Sequence, residues 1–200
     1  MSAWLALERP QEIDRALLFA PYLSNINRVV DWFVQILNIY FKWKTEPGLA
    51  HFGYDGFLMP ALEVFLDMGR DVLERAQKSS SAPMFIVSSE SDRAVGKEEH
   101  QALFEAVLKL QPRSWYLRFD RVLDIPHNMM TFAEGNDFQN LLIAIALAYV
   151  ESDLTWAEVE EIGYRMEQGK TFDTVVSELN LSQRVSSDMP TMMAMVDKQK

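Results

Sequence analysis

Ala82-Pro83-Met84-Phe85-Ile86-Val87-Ser88-Ser89-Glu90-Ser91-Asp92 is the stretch on which the fold turns. Met84 to Ser88 is a short, mostly apolar run, opened by Pro83 and closed by a polar cluster. A run of that length between turn signals reads as a strand buried on both faces, the kind found in parallel sheets covered by helices. Similar runs lie on either side. Asp14-Arg15-Ala16-Leu17-Leu18-Phe19-Ala20 ends at Pro21, and Trp115-Tyr116-Leu117-Arg118-Phe119 reads as a third strand. Helical patterns separate them. Pro60 to Gln77 puts Leu62, Phe65, Leu66, Val72 and Leu73 on one broad face, and Lys97 to Leu110 carries Leu103, Phe104, Val107 and Leu108 as a stripe. Asp137 to Glu151 is an apolar helix suited to lie flat on a sheet. Residues 14–151 therefore alternate strand and helix, which predicts an α/β fold with a parallel sheet near 14–20, 84–88 and 115–119.

Ser2 to Glu8 has helical composition and stops at Pro10. Residues 28–44 read as a strongly amphipathic helix, because Asp31, Gln35, Asn38 and Lys42 recur at helical steps as a narrow polar stripe. Glu46-Pro47-Gly48 breaks it, and a loop spotted with Gly53 and Gly56 follows. Thr155-Trp156-Ala157-Glu158 is a capping-box pattern that opens a helix stopping near Gly169. Thr171 to Asn180 reads as a second short helix, and from Ser182 the chain is polar, Met-rich and expected to be irregular. The expected organisation is a core from residues 1–27 and 78–151, a helical cap at 28–77, and a C-terminal helical extension with an irregular tail at 152–200.

Composition narrows the function classes. The 200 residues are 48% apolar and 24% charged, which excludes wholesale disorder and collagen-like repeats. Nineteen basic against 29 acidic residues leave a net charge of −10, a poor match for the dense negative charge of nucleic acid. There is no cysteine, which removes disulfides, thiolate catalysis and Cys-based zinc sites and fits a reducing compartment, so the expected location is cytoplasmic. The N-terminus has no basic leader, and the apolar runs Val29 to Phe41 and Leu141 to Val150 fall short of the ~20 residues a membrane span needs. The three histidines show no metal-ligand spacing, and no metal or cofactor is expected. Met129-Met130 and Met192-Met193 read as packing or tail residues.

Functional groups in a parallel α/β sheet collect on loops at the carboxyl ends of the strands. Asp92 follows one strand there, and His127 follows the next in Asp124-Ile125-Pro126-His127-Asn128. If they meet, the carboxylate orients the imidazole and stabilises its cation. The plainer readings are a loop-capping carboxylate for Asp92 and a turn histidine bonded to backbone for His127. Glu90 is a rival acid, read as a solvated loop charge. His51, in the Gly-spotted loop, and His100, on a charged helix face, read as surface residues.

In the order and spacing of these motifs the chain resembles the α/β-hydrolase superfamily of serine esterases and lipases. That family's acid loop typically reads Gly-x-x-Asp-x-x-Val after an Ala-Pro strand start. Here Ala82-Pro83 leads to Ser89-Glu90-Ser91-Asp92-Arg93-Ala94-Val95, with Ser89 in the glycine's place. The family histidine usually follows glycine, and here Pro126 precedes His127. Trp4 to Pro10 followed by Asp14 to Pro21 is similar to the helix after the nucleophile and the next strand, and residues 28–77 to the cap. The resemblance, over residues 3–151, implies a partial α/β-hydrolase fold with Asp92 as triad acid, His127 as general base and a small-molecule ester as substrate. A cap with a wide apolar face would suit an apolar acyl group. The family's Gly-x-Ser-x-Gly elbow should precede the first helix, and no serine here is flanked by glycines at that spacing. The expectation is the C-terminal part of a serine hydrolase, inactive alone. The alternative is a non-catalytic hydrolase-like interaction module. The strand at 14–20 would then be an open apolar edge, expected to self-associate or to take a complementary chain.

Overall fold

The computed structural model describes residues 1–24, 34, 37–42, 49 and 54–196. In chain order the elements are α1 (Ser2–Glu8), β1 (Ala16–Phe19), β2 (Tyr40–Lys42), β3 (Gly56–Leu58), α2 (Met59–Ala76), β4 (Met84–Ser89), α3 (Lys97–Leu108), β5 (Trp115–Phe119), α4 (Gln139–Glu151), α5 (Trp156–Glu167), α6 (Phe172–Glu178) and α7 (Met189–Val196). Short 3-10 turns lie at Arg121–Leu123 and Phe132–Glu134. β1, β4 and β5 form a parallel sheet in the order β1-β4-β5, with Leu18 beside Ile86 and Val87 beside Leu117. The α/β class with a parallel sheet flanked by helices is therefore the fold of this chain.

β4 is the middle strand, and every one of its residues is buried, which is why its apolar run does not alternate. Alternation of its side chains divides the core instead. Phe85 and Val87 join Trp115, Leu117 and Phe119 beneath α4, α5, α6 and α7. Met84 and Ile86 join Ala16 and Leu18 beneath α1, α2 and α3. Trp115 anchors the first layer: its ring lies edge-on to Tyr149 at 5.1 Å and to Phe85 at 6.0 Å, and its Nε1–H donates to the Leu154 carbonyl at 3.1 Å.

Two local expectations need correction. The irregular tail contains a helix, α7, whose Met189, Met192 and Met193 are fully buried in the same core as the sheet. Methionines at helical spacing fill irregular gaps as well as branched residues do, and the Ser186 hydroxyl accepts the Asp188 N–H just ahead of the helix. The helix expected at 28–44 falls largely outside the described residues. Val34 is helical and buried, but Tyr40–Lys42 form a strand paired antiparallel with Gly56–Leu58. Aromatic residues suit a paired strand, and the Phe41 and Phe57 rings sit 5.6 Å apart. A side chain on Gly56 would strike the Phe41 carbonyl oxygen, so this hairpin needs glycine there. Among the described residues no helix is long and apolar enough to cross a membrane.

Candidate active site

The loops that follow β4 and β5 are tied to each other before either presents a functional group. Glu90 N–H donates to the Phe119 carbonyl at 3.0 Å, continuing the ladder past the strand ends. The buried Ser89 hydroxyl then donates to the Ile125 carbonyl at 2.6 Å and accepts the Ser91 N–H at 3.2 Å. A glycine in that place would leave the Ile125 carbonyl, on a residue 1% exposed, without its donor. Past β5, Asp120 caps the first 3-10 turn through the Val122 N–H at 2.7 Å, and Asp124 takes a left-handed φ of 46° that aspartate tolerates better than most residues. On the far side of His127, the wholly buried Asn136 donates to the Met129 carbonyl at 2.6 Å and accepts the Phe138 N–H at 2.7 Å. The His127 loop is thus pinned at both ends.

Between these ties Asp92 Oδ2 lies 2.9 Å from His127 Nδ1. Asp92 Oδ1 accepts the backbone N–H groups of Ala94, at 2.7 Å, and Val95, at 3.3 Å. The Asp92 side chain is 3% exposed and that of His127 34%. Burial pushes the Asp92 carboxyl up. The hydrogen bond and charge of His127 and the two backbone donors outweigh it and hold the group below the ordinary carboxylate range. An ionised carboxylate only accepts, so Nδ1 carries the proton, and a ring that gives up its other proton has its lone pair on Nε2. A ring held in one tautomer with a free basic nitrogen can take a proton from an attacking hydroxyl and return it to a leaving group.

Glu90 lies elsewhere: its Oε1 is 3.5 Å from Arg118 Nε, on a partly exposed pair. His51 lies outside the described residues. His100 was expected on the surface and is buried, 1% exposed, with Nε2 2.7 Å from the Pro21 carbonyl. Burial pushes its imidazole pKa down. The cause was readable in the helix: His100 continues the spacing of Leu103, Phe104 and Val107, so it faces inward with them despite the flanking charges. Ser89 and Asn136 are the supporting residues that spacing alone does not reveal: the Ile125 carbonyl that Ser89 meets lies in another loop, and Asn136 bonds backbone groups of its own irregular loop. Among the described residues no group of three or more His, Asp and Glu side chains could hold a metal ion.

A cavity of about 390 Å³ runs beside β1, lined by Leu17, Phe19, Tyr22, Phe65 and Met68 among others, and it reaches the His127 loop through Met130. Leu49 packs over Gly135 in the same loop region, where φ is 102° and a side chain would crowd it.

No family model matches this chain, and no curated protein does. Among solved structures it is similar to one from work on LipS and LipT, two metagenome-derived lipolytic enzymes that increase the diversity of known lipase and esterase families, with a TM-score of 0.54 and 14% sequence identity. The superposition covers 74% of this chain and 59% of that chain, so this chain spans about three fifths of the other's length. At that identity the likeness is one of fold.

Proposed function

We propose that this chain is the acid-and-histidine part of an α/β-hydrolase-type serine hydrolase acting on carboxylic esters. The observation that carries the reading is the Asp92–His127 hydrogen bond at 2.9 Å, built at the carboxyl ends of adjacent parallel strands. In a completed site the attacking serine comes from a segment ahead of α1. His127 Nε2 takes the hydroxyl proton as the serine oxygen bonds to the acyl carbon. It then delivers that proton to the leaving alcohol, and a water repeats the sequence to free the acid. Asp92 holds the tautomer and balances the imidazolium. The apolar cavity beside Met130 is where an acyl chain would be received. No serine of this sequence is flanked by glycines in the elbow pattern, which supports the reading that this chain by itself turns over no ester.

The test starts from the DNA ahead of the Met1 codon. An in-frame Gly-x-Ser-x-Gly there, expressed with this chain, should hydrolyse p-nitrophenyl acyl esters. His127→Gln should then cut kcat by about 10⁴–10⁶-fold and Asp92→Asn by about 10⁴-fold. Hydrolysis indifferent to His127→Gln would sink the reading. Fluorophosphonate labelling of the present chain that disappears on mutating one of its own serines would overturn the claim that the nucleophile lies elsewhere. A non-catalytic interaction module is the second reading, and the outer side of β1, with which no described strand pairs, favours it.

A further inference from the structure

We propose that His100 is a positioning residue for the Asp92–His127 pair: it fastens the chain leaving β1 onto the start of α3, and so steadies the backbone N–H groups that receive Asp92. The role rests on the relay reading of Asp92 and His127 given above; the tie itself is a matter of geometry and involves no ester chemistry.

Asp92 Oδ1 accepts the N–H groups of Ala94 and Val95, which lie immediately ahead of Gly96, the residue that opens α3. Where α3 begins therefore decides where those two donors point. Glycine has no side chain with which to cap a helix, and α3 starts without a side-chain cap bond. Its start is held from outside instead. The Gly96 N–H donates to the Ser24 carbonyl at 3.1 Å, and one turn on His100 Nε2 lies 2.7 Å from the Pro21 carbonyl. Pro21 to Ser24 is thus laced along the opening of α3 by one backbone bond and one side-chain bond. Both come from the chain that leaves β1 and owe nothing to what lies on that strand's outer side.

The laced segment is a firm anchor. Ala20 turns the chain out of the sheet at φ 44°, a left-handed value that favours glycine, while its N–H donates to the Val87 carbonyl at 2.8 Å. From the other side α2 lies so close that a side chain on Gly69 would strike the Leu23 carbonyl oxygen. The Pro21 carbonyl is therefore presented by backbone fixed on two sides.

The ring of His100 matches that acceptor. A carbonyl only accepts, so Nε2 carries the proton. Nδ1 is buried and, among the described residues, has no hydrogen-bond partner. A second proton there would bury a cation with an unmet donor, which is why burial pushes this imidazole pKa down. His100 and His127 thus hold their bonded protons on opposite nitrogens, Nε2 in one and Nδ1 in the other. An apolar residue would fill the inward face of α3 without leaving a bare Nδ1. What histidine adds at this place is the Nε2–H bond to Pro21.

The test uses the chain as it stands, without substrate. Nitrogen NMR of the imidazole rings should find His100 protonated on Nε2 and His127 on Nδ1. In His100→Leu the His127 Nδ1–H signal should be lost to exchange, and the Ala94 and Val95 amides should exchange faster by about tenfold or more, with α7 unchanged. His100→Gln, whose amide N–H can reach the same carbonyl, should restore both. Should His100→Leu fail to fold, His100→Asn, polar but too short to reach Pro21, must show the same two losses. A His127 signal and amide exchange that survive these replacements overturn the positioning role and leave the relay standing. So does loss in His100→Gln as deep as in His100→Leu, or a parent chain with His100 protonated on Nδ1. A parent chain in which His127 carries no proton on Nδ1 sinks the relay, and this role with it.

Discussion

On the β5 flank of the sheet the chain is fastened down: Trp115 is bonded to the Leu154 carbonyl, Trp156 N–H reaches the Pro112 carbonyl at 2.8 Å, and Arg184 forks onto Glu158 at 2.6 and 2.9 Å. Thr155 and Glu158 cap α5 reciprocally, and α7 presses its methionines into the space behind. On the β1 flank no described strand pairs with the outer side of β1, which lies beside a cavity, and its firm tether is Arg15, which donates to the Tyr149 carbonyl at 2.5 Å and to the Ser152 carbonyl. The candidate relay sits between β4 and β5, on the fastened side. Its geometry is therefore set by ties that do not depend on what covers β1.

The sharpest way to test that contrast is to remove one side chain from each flank. Trp115→Ala deletes a fully buried ring and its hydrogen bond, and should cost about 3–5 kcal/mol in denaturant unfolding. Leu17→Ala, at a half-buried position on the open strand, should cost about 1 kcal/mol. Equal costs would mean that the β1 flank is as well sealed as the other. Next in size is Ser89→Ala, which takes the donor away from the buried Ile125 carbonyl and should cost about 1–3 kcal/mol. It should also speed hydrogen exchange in the His127 loop and leave α7 unchanged. Exchange that rises equally in both places would deny the loop its local tether.

The smallest effect is a change in pH dependence. The Asp92 carboxyl is held below its ordinary value in the fold, so the unfolded chain binds that proton more readily. Its contribution is complete above the ordinary carboxylate pKa and is lost as pH falls through the lowered one. Acid titration of stability should therefore be shallower for Asp92→Asn than for the parent, the two converging at the acid end. Parallel curves would show that His127 and the backbone donors do not stabilise the carboxylate.

Much of this was legible in the residues. β5 occupies the stretch its apolar pattern marks, β4 extends one residue beyond its pattern, and Thr155-x-x-Glu158 forms the cap its spacing predicts. The positions of Asp92 and His127 after consecutive strands were equally plain. Less legible were features whose cause lies far along the chain. His100 looked exposed because its neighbours Glu98 and Glu99 are charged, yet its face of α3 is covered by the exit of β1. The role of Ser89 depends on a carbonyl 36 residues away, and α7 is read only once the core it fills is known.

By itself, then, the order of the residues determined the alternation of strands and helices, since a strand buried on both faces demands a continuous apolar run and a helix demands a stripe. It also determined that Asp92 and His127 follow consecutive strands of the sheet, in the loops beyond their carboxyl ends. Only the tertiary structure decided that these two, 35 residues apart, come within hydrogen-bond distance, because parallel pairing of β4 with β5 and the cross-tie from Ser89 bring their loops together. It alone decided, too, that among the described residues β4 pairs on both sides while β1 and β5 each pair on one, since a strand's neighbour is a property of the packed chain and leaves no mark in the strand's own residues.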